Sequence, residues 1–567
     1  DDASLDIGKT VVITVEIDEQ STGAGGTIFT GEITSLEPNF SAEGWTFMTV
    51  RCLDKSHRLH RGRKTRTFLK VTDSDLVSTI AGEAGLSVES DATSVIYEHV
   101  IQYNQTNMEF LKSRAERIGY QIYVEDGKLC FKKGDATPTD VGTDLVFMEN
   151  LYSFEPRWTA SPQADKMIVK SWDVKQKTAI SSEKTPVAAL NQGGMTTTGG
   201  AKATSSFNSA EEIIVSKPVF TTAEATELAT GLSNDISREF VQAEGVCDGL
   251  PKLLAGKQVN ITNIGTRFSG KYRVTSALHS YTIKGYKTHF TISGRHPNTL
   301  SQLVQSENGS GLSSGQVEGV VPALVTNLTD PDNIGRVKVK YAWLGEIESD
   351  WVRVATPMAG ASRGIMILPE INDEVLIAFE HGDIHRPYIV GGLWSSTDSP
   401  PLQNSAASAQ GKVNQRIFKT RQGHTILLDD KQGEEKISIK SKSGHEIIFD
   451  DKTGSEMITL KDKTGSNKLV IKSSDNSMAI NVGGDFSVTA TGKITLKGNS
   501  DVSLETAGGN ATIKGMNATL KASANATVEG TAKSEVKGAQ VSVNGTGTAE
   551  VKSAGMTTIQ GGLVKIN

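Results

Sequence analysis

Histidines and carboxylates at close spacing are the first residues of this sequence that could do chemistry. His381, Asp383 and His385 resemble a partial metal-ligand set. Gly382 and Pro387 put them in a turn region, however, and two imidazoles with one carboxylate fall short of a closed structural zinc site. A solvated hairpin is the expected outcome. His279 and His289 flank a hairpin through Lys284-Gly285 and read as packed strand residues. The carboxylate pairs Asp429-Asp430 and Asp450-Asp451 fall beside lysines in repeat corners, where solvated turns are expected. An ion held within the repeats is the alternative. Cys52, Cys130 and Cys247 are odd in number and lack metal or disulfide-framework spacing, so three reduced, buried thiols are expected. No catalytic residue, metal or cofactor follows from these sets, and the chain reads as a non-enzyme.

The chain that must position these residues has 567 of them, more than one hydrophobic core organises, so three or more folding units are expected. A net charge of -6 and a pI near 6.0 supply no global basic field. Nucleic acid and an anionic membrane surface are therefore not expected as main partners. The opening Asp1-Asp2-Ala3-Ser4-Leu5-Asp6 is neither an initiator Met nor a signal sequence, and no apolar run approaches the roughly 18 residues of a membrane span. Synthesis in a reducing cytoplasm and a missing N-terminal piece are both expected.

Four regions follow from pattern. Residues 1–314 mix strands with a few helices. Thr106-Asn107-Met108-Glu109 is a capping box, followed by Phe110, Leu111, Ala115 and Ile118 at helical spacing and by Gly119 as a stop. A second helix is predicted from about Asp73 to Ala84. Thr10–Val15 and Gln121–Val124 alternate like half-buried strands, and about Lys175 to Asn208 reads as a long exposed loop. An order of features repeats within this region. Gly8–Ile13, Phe29-Thr30-Gly31, Thr34-Ser35, Gly44-Trp45 and Thr49-Val50 match Gly256–Ile261, Phe268-Ser269-Gly270, Thr275-Ser276, Gly285-Tyr286 and Thr291-Ile292. Either two related β-barrels or two chance-similar meanders would explain it.

Residues 315–396 carry short strands at Val317–Val325, Arg336–Trp343, Trp351–Ala355, Gly364–Leu368, Glu374–Phe379 and Tyr388–Leu393, separated by Asp/Asn/Gly turns. A small Greek-key barrel is expected. Residues 397–414 form a Pro/Ser/Ala-rich connector.

Residues 415–567 open with near-copies, Gly423–Gly433 against Gly444–Gly454. After Gly484 the repeat shortens to about eight residues, marked by Val488, Leu496, Leu504, Ile513, Leu520, Val528, Val536, Val543, Val551, Ile559 and Ile566. Each octad offers one or two inward aliphatics, too little for an isolated ribbon to offset its ordering entropy. Near-equivalent octads are what three-fold symmetry produces, so an intertwined triangular β-helix built by three chains is predicted. At one strand spacing per octad the part from Asp485 would be roughly 50 Å long.

The barrel region resembles the OB-fold of VgrG proteins and phage baseplate spikes through Asp332–Val339, Leu368–Asp383 and Arg386–Trp394. The first region resembles their hub through Phe29–Ile33, the Arg61–Phe68 segment, and Asn107–Leu111 with Gly119-Tyr120. Gly265–Thr275 resembles spikes of extracellular contractile injection systems more than those of type VI secretion. The resemblance implies a mainly β homotrimer made in the bacterial cytoplasm and carried on an assembled particle. Its hub would meet a hexameric inner tube protein and baseplate components, and its β-helix would point outward, contact the target membrane transiently and puncture the envelope. Cargo effectors are further partners implied. Leu563, Val564, Lys565, Ile566 and Asn567 would expose unpaired backbone and apolar side chains, so a PAAR-like tip protein is expected to cover them. The connector is too short for the lysozyme domain of some relatives. A trimeric fibrous adhesin and a cell-wall hydrolase spike are the rival readings.

Overall fold

The computed structural model describes residues 5–16, 25–125, 127–186, 193–194, 197–294, 316–317, 319–341 and 344–566. Contacts group the chain into two compact units, Asp1–Asn404 and Ser405–Asn567. The fold is mainly β.

Helices α1 (Asp73–Glu83) and α2 (Asn107–Arg117) each begin in a complete capping box, Thr72 with Asp75 and Thr106 with Glu109. Reciprocal side-chain and backbone bonds satisfy N–H groups that the first helical turn cannot pair itself. Gly119, with φ +73, ends α2 as expected. Both helices bury Leu76, Ile80, Phe110 and Leu111 in one core with Leu59, Leu129 and Phe131.

The loop expected from about Lys175 to Asn208 is corrected. Thr178–Lys184 is a strand, antiparallel to Lys166–Asp173, and α3 (Gly199–Phe207) starts on a Thr198 cap. Ile180 enters a small core with Val169, Val219 and Leu228, the last from α4 (Thr222–Arg238). One buried aliphatic in a run of Ser, Thr and Lys leaves no period to read, so tertiary contact decides the strand.

The duplicated features share one hydrogen-bond pattern. Gly8 N donates to Ile33 O at 2.8 Å and Ile33 N to Lys9 O at 2.9 Å; Gly256 N donates to Val274 O at 2.8 Å and Val274 N to Lys257 O at 2.9 Å. Thr10 to Ile13 pair antiparallel with Glu32 to Phe29, and Gln258 to Ile261 pair with Arg273 to Gly270. Thr34 Oγ1 donates to Arg51 O as Thr275 Oγ1 does to Thr291 O. The ladder also corrects the sequence alignment. Gly31 faces Val11 whereas Gly270 faces Ile261, so the two Phe-X-Gly triplets stand two residues out of step. Thr49-Val50 corresponds to His289-Phe290, since Ser35 pairs with Arg51 and Ser276 with Thr291. The first copy runs through one continuous strand, Gly26–Asn39. The second breaks after Arg273 and passes into another sheet.

Five strands close the barrel in the order Val320–Asn327, Arg336–Lys340, Val352–Val354, Pro387–Gly392, Glu374–Phe379. Val325, Val337, Val339, Tyr341, Val352 and Ile377 fill it. Gly364–Leu368 does not supply a barrel strand. Only Arg363–Gly364 pairs, with Ala359–Gly360, and Ile365, Met366 and Ile367 are exposed. Trp343 lies outside the described residues.

The second unit begins with a seven-stranded antiparallel sheet in sequence order: Gln415–Lys419, Thr425–Asp429, Lys436–Lys440, Glu446–Asp450, Met457–Lys461, Lys468–Lys472 and Ser477–Asn481. Each strand here pairs with its own chain neighbour, a meander that the octad argument did not anticipate. From Val482 to Ile566 no strand forms, and bends recur about every eight residues, at Gly483-Gly484, Thr491-Gly492, Asn499-Ser500 and onward to Gly562-Leu563.

Candidate partner-binding surfaces

The meander concentrates its apolar residues on one face, because alternate residues of a strand point the same way. In-register pairing lines them into two columns. One runs Phe418, Ile426, Ile439, Ile447, Leu460, Leu469 and Ile480; the other runs Leu428, Ile437, Phe449, Ile458, Ile471 and Met478. Within the single chain these side chains stay open: Ile439 is 44% exposed, Phe449 41% and Leu460 49%. The opposite face carries one central column, in which Ile417, Leu427, Ile448 and Val470 are half-buried, between charged strand ends such as Lys461, which reaches Glu446 at 3.0 Å. Beyond the sheet the octad aliphatics are barer still, Leu496 at 81% and Ile513 at 83%. Leu563, Val564 and Ile566 are likewise exposed, with Lys565 between them; Asn567 lies outside the described residues.

The residues first singled out for chemistry have structural partners instead. His385 Nδ1 donates to Asp383 Oδ1 at 2.8 Å, and its Nε2 accepts from the backbone N–H of Ile101 at 2.9 Å. This joins the barrel to the strand Tyr97–Gln105 rather than leaving a solvated hairpin, and Ile101, Val317 and Ile384 pack beside it. Burial alone would raise the Asp383 carboxyl, but the His385 ring and backbone N–H hold it well below the usual carboxylate range. Nearby, Arg386 donates to Val219 O at 2.5 Å and to Ser171 Oγ at 3.2 Å, with its guanidinium 4.2 Å from the Phe220 ring centroid. Sequence reasoning assigned Arg386 no role in this junction.

Elsewhere, His279 Nδ1 lies 2.7 Å from the Tyr286 hydroxyl, and burial lowers its pKa; it is a packed strand residue as expected, whereas His289, expected to pack likewise, is exposed on its strand. Cys130 and Cys247 are buried, whereas Cys52 is half-buried, a correction that follows from its place in an open sheet. Burial pushes the Cys247 thiol up to about 12, so it is inert as a thiolate. Asp429 is buried rather than solvated: Gln415 Nε2 donates to it at 2.7 Å and Lys431 N at 3.1 Å. Asp430 pairs with Arg416 at 2.5 Å. Among the described residues no three His, Cys, Asp or Glu side chains converge as a metal site would require.

Comparison with known proteins bears on the barrel most sharply. Residues 321–394 match the family model of the type VI secretion system/phage-baseplate injector OB domain, and residues 2–282 match that of the Alg8 N-terminal domain. The spike protein VgrG3 of Vibrio cholerae is 27% identical over 177 residues, 26% of this chain. VgrG1a of Pseudomonas aeruginosa is 33% identical over 116 residues, 19% of this chain.

The chain is similar to VgrG spike proteins.

The alignments span 17% of the Vibrio relative's length and 18% of the Pseudomonas one's. The VgrG-like chain also resembles solved structures in outline. A chain of the Francisella PdpA–VgrG complex covers 77% of it, and is itself 68% covered, at 9% identity and a TM-score of 0.44. An Escherichia coli component of the type VI secretion system covers 65% of it, with 84% of that chain covered, at 16% identity and a TM-score of 0.39. Among the described residues of the VgrG-like chain no helix is long and apolar enough to cross a membrane.

Proposed function

We propose that three copies of this chain form the central spike of a contractile injection system. The unshielded apolar face of residues 415–481 carries the reading. Complete burial of one such aliphatic contributes about 1.5–3 kcal/mol, and one column is continuous over seven strands and the other over six. Three such faces turned inward make a closed prism. The octads that follow have irregular segments between bends and no strand pairing among the described residues; unpaired backbone needs hydrogen-bond partners, which two further copies supply by intertwining.

The duplicated ladder in the hub supports the other end of the assembly. Two similar meanders on each of three chains present six similar surfaces, suited to a hexameric inner tube protein held among baseplate components. The function is mechanical. A stiff shaft driven by sheath contraction concentrates force on the target envelope, meets the membrane transiently and stays joined to the tube that delivers cargo effectors. The exposed aliphatics at Leu563, Val564 and Ile566, with Lys565 and Asn567, seat a PAAR-like tip protein. The Gly265–Thr275 segment favours an extracellular injection particle, assembled in the bacterial cytoplasm. Sedimentation of the full chain should give three times the monomer mass, and negative-stain images should show a thin shaft. An ordered, strand-rich monomer at micromolar concentration overturns the proposal.

A further inference from the structure

The meander has two edges, and their charges differ in sign. Its turns alternate between edges because every connection joins antiparallel neighbours. One edge carries residues 420–424, 441–445 and 462–467, closed by Thr420 N to His424 O at 2.9 Å, Ser441 N to His445 O at 2.8 Å and Asp462 N to Asn467 O at 3.0 Å. Arg421, Lys442 and Lys463 lie in these turns, and Lys419, Lys440 and Lys461 end the adjoining strands. Within these turns and strand ends the carboxylates are Asp462 and Glu446. The other edge carries residues 430–435 and 451–456, closed by Glu434 N to Lys431 O at 2.8 Å and Ser455 N to Lys452 O at 2.8 Å. Asp430, Glu434, Glu435, Asp451 and Glu456 lie there against Lys431, Lys452 and Arg416, the last paired with Asp430 at 2.5 Å. Lys431 is already paired with Glu434 at 2.6 Å, which leaves this edge negative.

We propose that these edges are the seams of the assembly: the basic edge of one copy lies along the acidic edge of the next, and their charges set all copies parallel. This rests on the reading of the tail as a self-associating prism. When three inward-facing sheets are related by rotation about the shaft axis, every seam joins one edge to the opposite edge of a neighbour. Turning one copy end over end brings like edges together, basic on basic and acidic on acidic. The apolar columns alone do not discriminate these arrangements, because an aliphatic face packs equally well in either direction. Opposed charges penalise the wrong one. The occupant of each edge is therefore a second copy of this chain.

The test uses the full chain in three variants. The first carries Lys419→Glu, Lys440→Glu, Lys442→Glu and Lys463→Glu, the second Glu434→Lys, Glu435→Lys, Asp451→Lys and Glu456→Lys, and the third all eight changes, which exchange the edges' signs. Trimer dissociation in urea, an uncharged denaturant, is followed by sedimentation at low and high salt. At low salt the first two should each associate about tenfold more weakly, with the difference shrinking at high salt, because exposed pairs contribute only about 0.2–1 kcal/mol each and are screened. The third should recover wild-type association, which also shows that the substitutions do not prevent folding. Unaltered association of the first two at low salt, or a third variant as weak as both defects combined, overturns the seam assignment while leaving the trimer standing. A wild-type chain that stays monomeric overturns the trimer and the seam together.

Discussion

Placing a carboxylate in the apolar face of the meander, by Phe449→Asp, should abolish self-association without unfolding the chain. Phe449 pairs across the sheet with Ile437 and Ile458 and is 41% exposed in the single chain. A phenylalanine side chain buries on the order of 200 Å², so about 80 Å² remains to be covered on assembly, about 2 kcal/mol at ~25 cal/mol per Å². Three copies lose about 6 kcal/mol together. Each also brings a carboxylate into the prism, at an effective cost of several kcal/mol per ion. At about 1.4 kcal/mol per tenfold, the apolar loss alone weakens association by roughly four orders of magnitude. Sedimentation velocity at micromolar concentration should show the monomer. Circular dichroism should keep its strand signal, because the substituted position faces solvent in the lone chain. Phe449→Leu, which keeps most of the apolar area, should remain trimeric. A trimer of undiminished affinity in Phe449→Asp would refute the assignment of this face to self-association.

Other outcomes follow from the first region, the barrel and the tail. Arg386→Met removes charged hydrogen bonds to Val219 O and Ser171 and the contact with Phe220. It should cost about 3 kcal/mol, visible as a lower urea midpoint. Arg353→Met, over the Tyr388 ring at 5.7 Å, should cost well under about 1 kcal/mol. Asp330 and Asp383 share a pH signature. Burial would raise each carboxyl, but hydrogen bonds from Arg336 in the first case and the His385 hydrogen bonds in the second hold both well below the usual range. The folded-state values being the lower ones, their stabilisation is complete above about pH 4 and lost as the pH falls further; melting temperature against pH should show this, with a shallower acid slope in Asp330→Asn. Gly231→Ala would put a Cβ 2.6 Å from the backbone N of Gly119, forcing α4 away from the turn after α2. A cost of several kcal/mol, read by thermal melting, is expected. Deleting residues 563–567 should abolish recruitment of the tip protein in a pull-down while leaving the trimer mass less the deletion.

Local chemistry made much of this molecule legible. Thr72 and Thr106 with a carboxylate three residues on, and Gly119 beyond α2, act through bonds inside one turn, so α1 and α2 follow from neighbours in the chain. Glu374–Phe379 matches its expected strand to the residue, because alternation between Asn372-Asp373 and His381-Gly382 leaves one reading. The octad bends also follow from short-range composition. α4 was missed although Thr221 caps Glu224 and Ala225, Leu228, Ala229 and Leu232 carry helical spacing; that signal was present and could have found it.

Other features depended on groups far apart in sequence. Val169, Val219 and Leu228 turn the Ser/Thr-rich run around Ile180 into a strand, and Ile101, 284 residues from His385, makes that histidine a junction between the strand Tyr97–Gln105 and the barrel. The two-residue slip between the duplicated meanders came from ladder pairing, which side-chain types do not encode. The amino-acid order alone set the periods, caps and turns, since those depend on bonds within a few residues. The fold decided which strands pair, which carboxylates are buried and which aliphatic rows stay bare, because long-range packing and desolvation depend on atoms that the chain brings together only once folded.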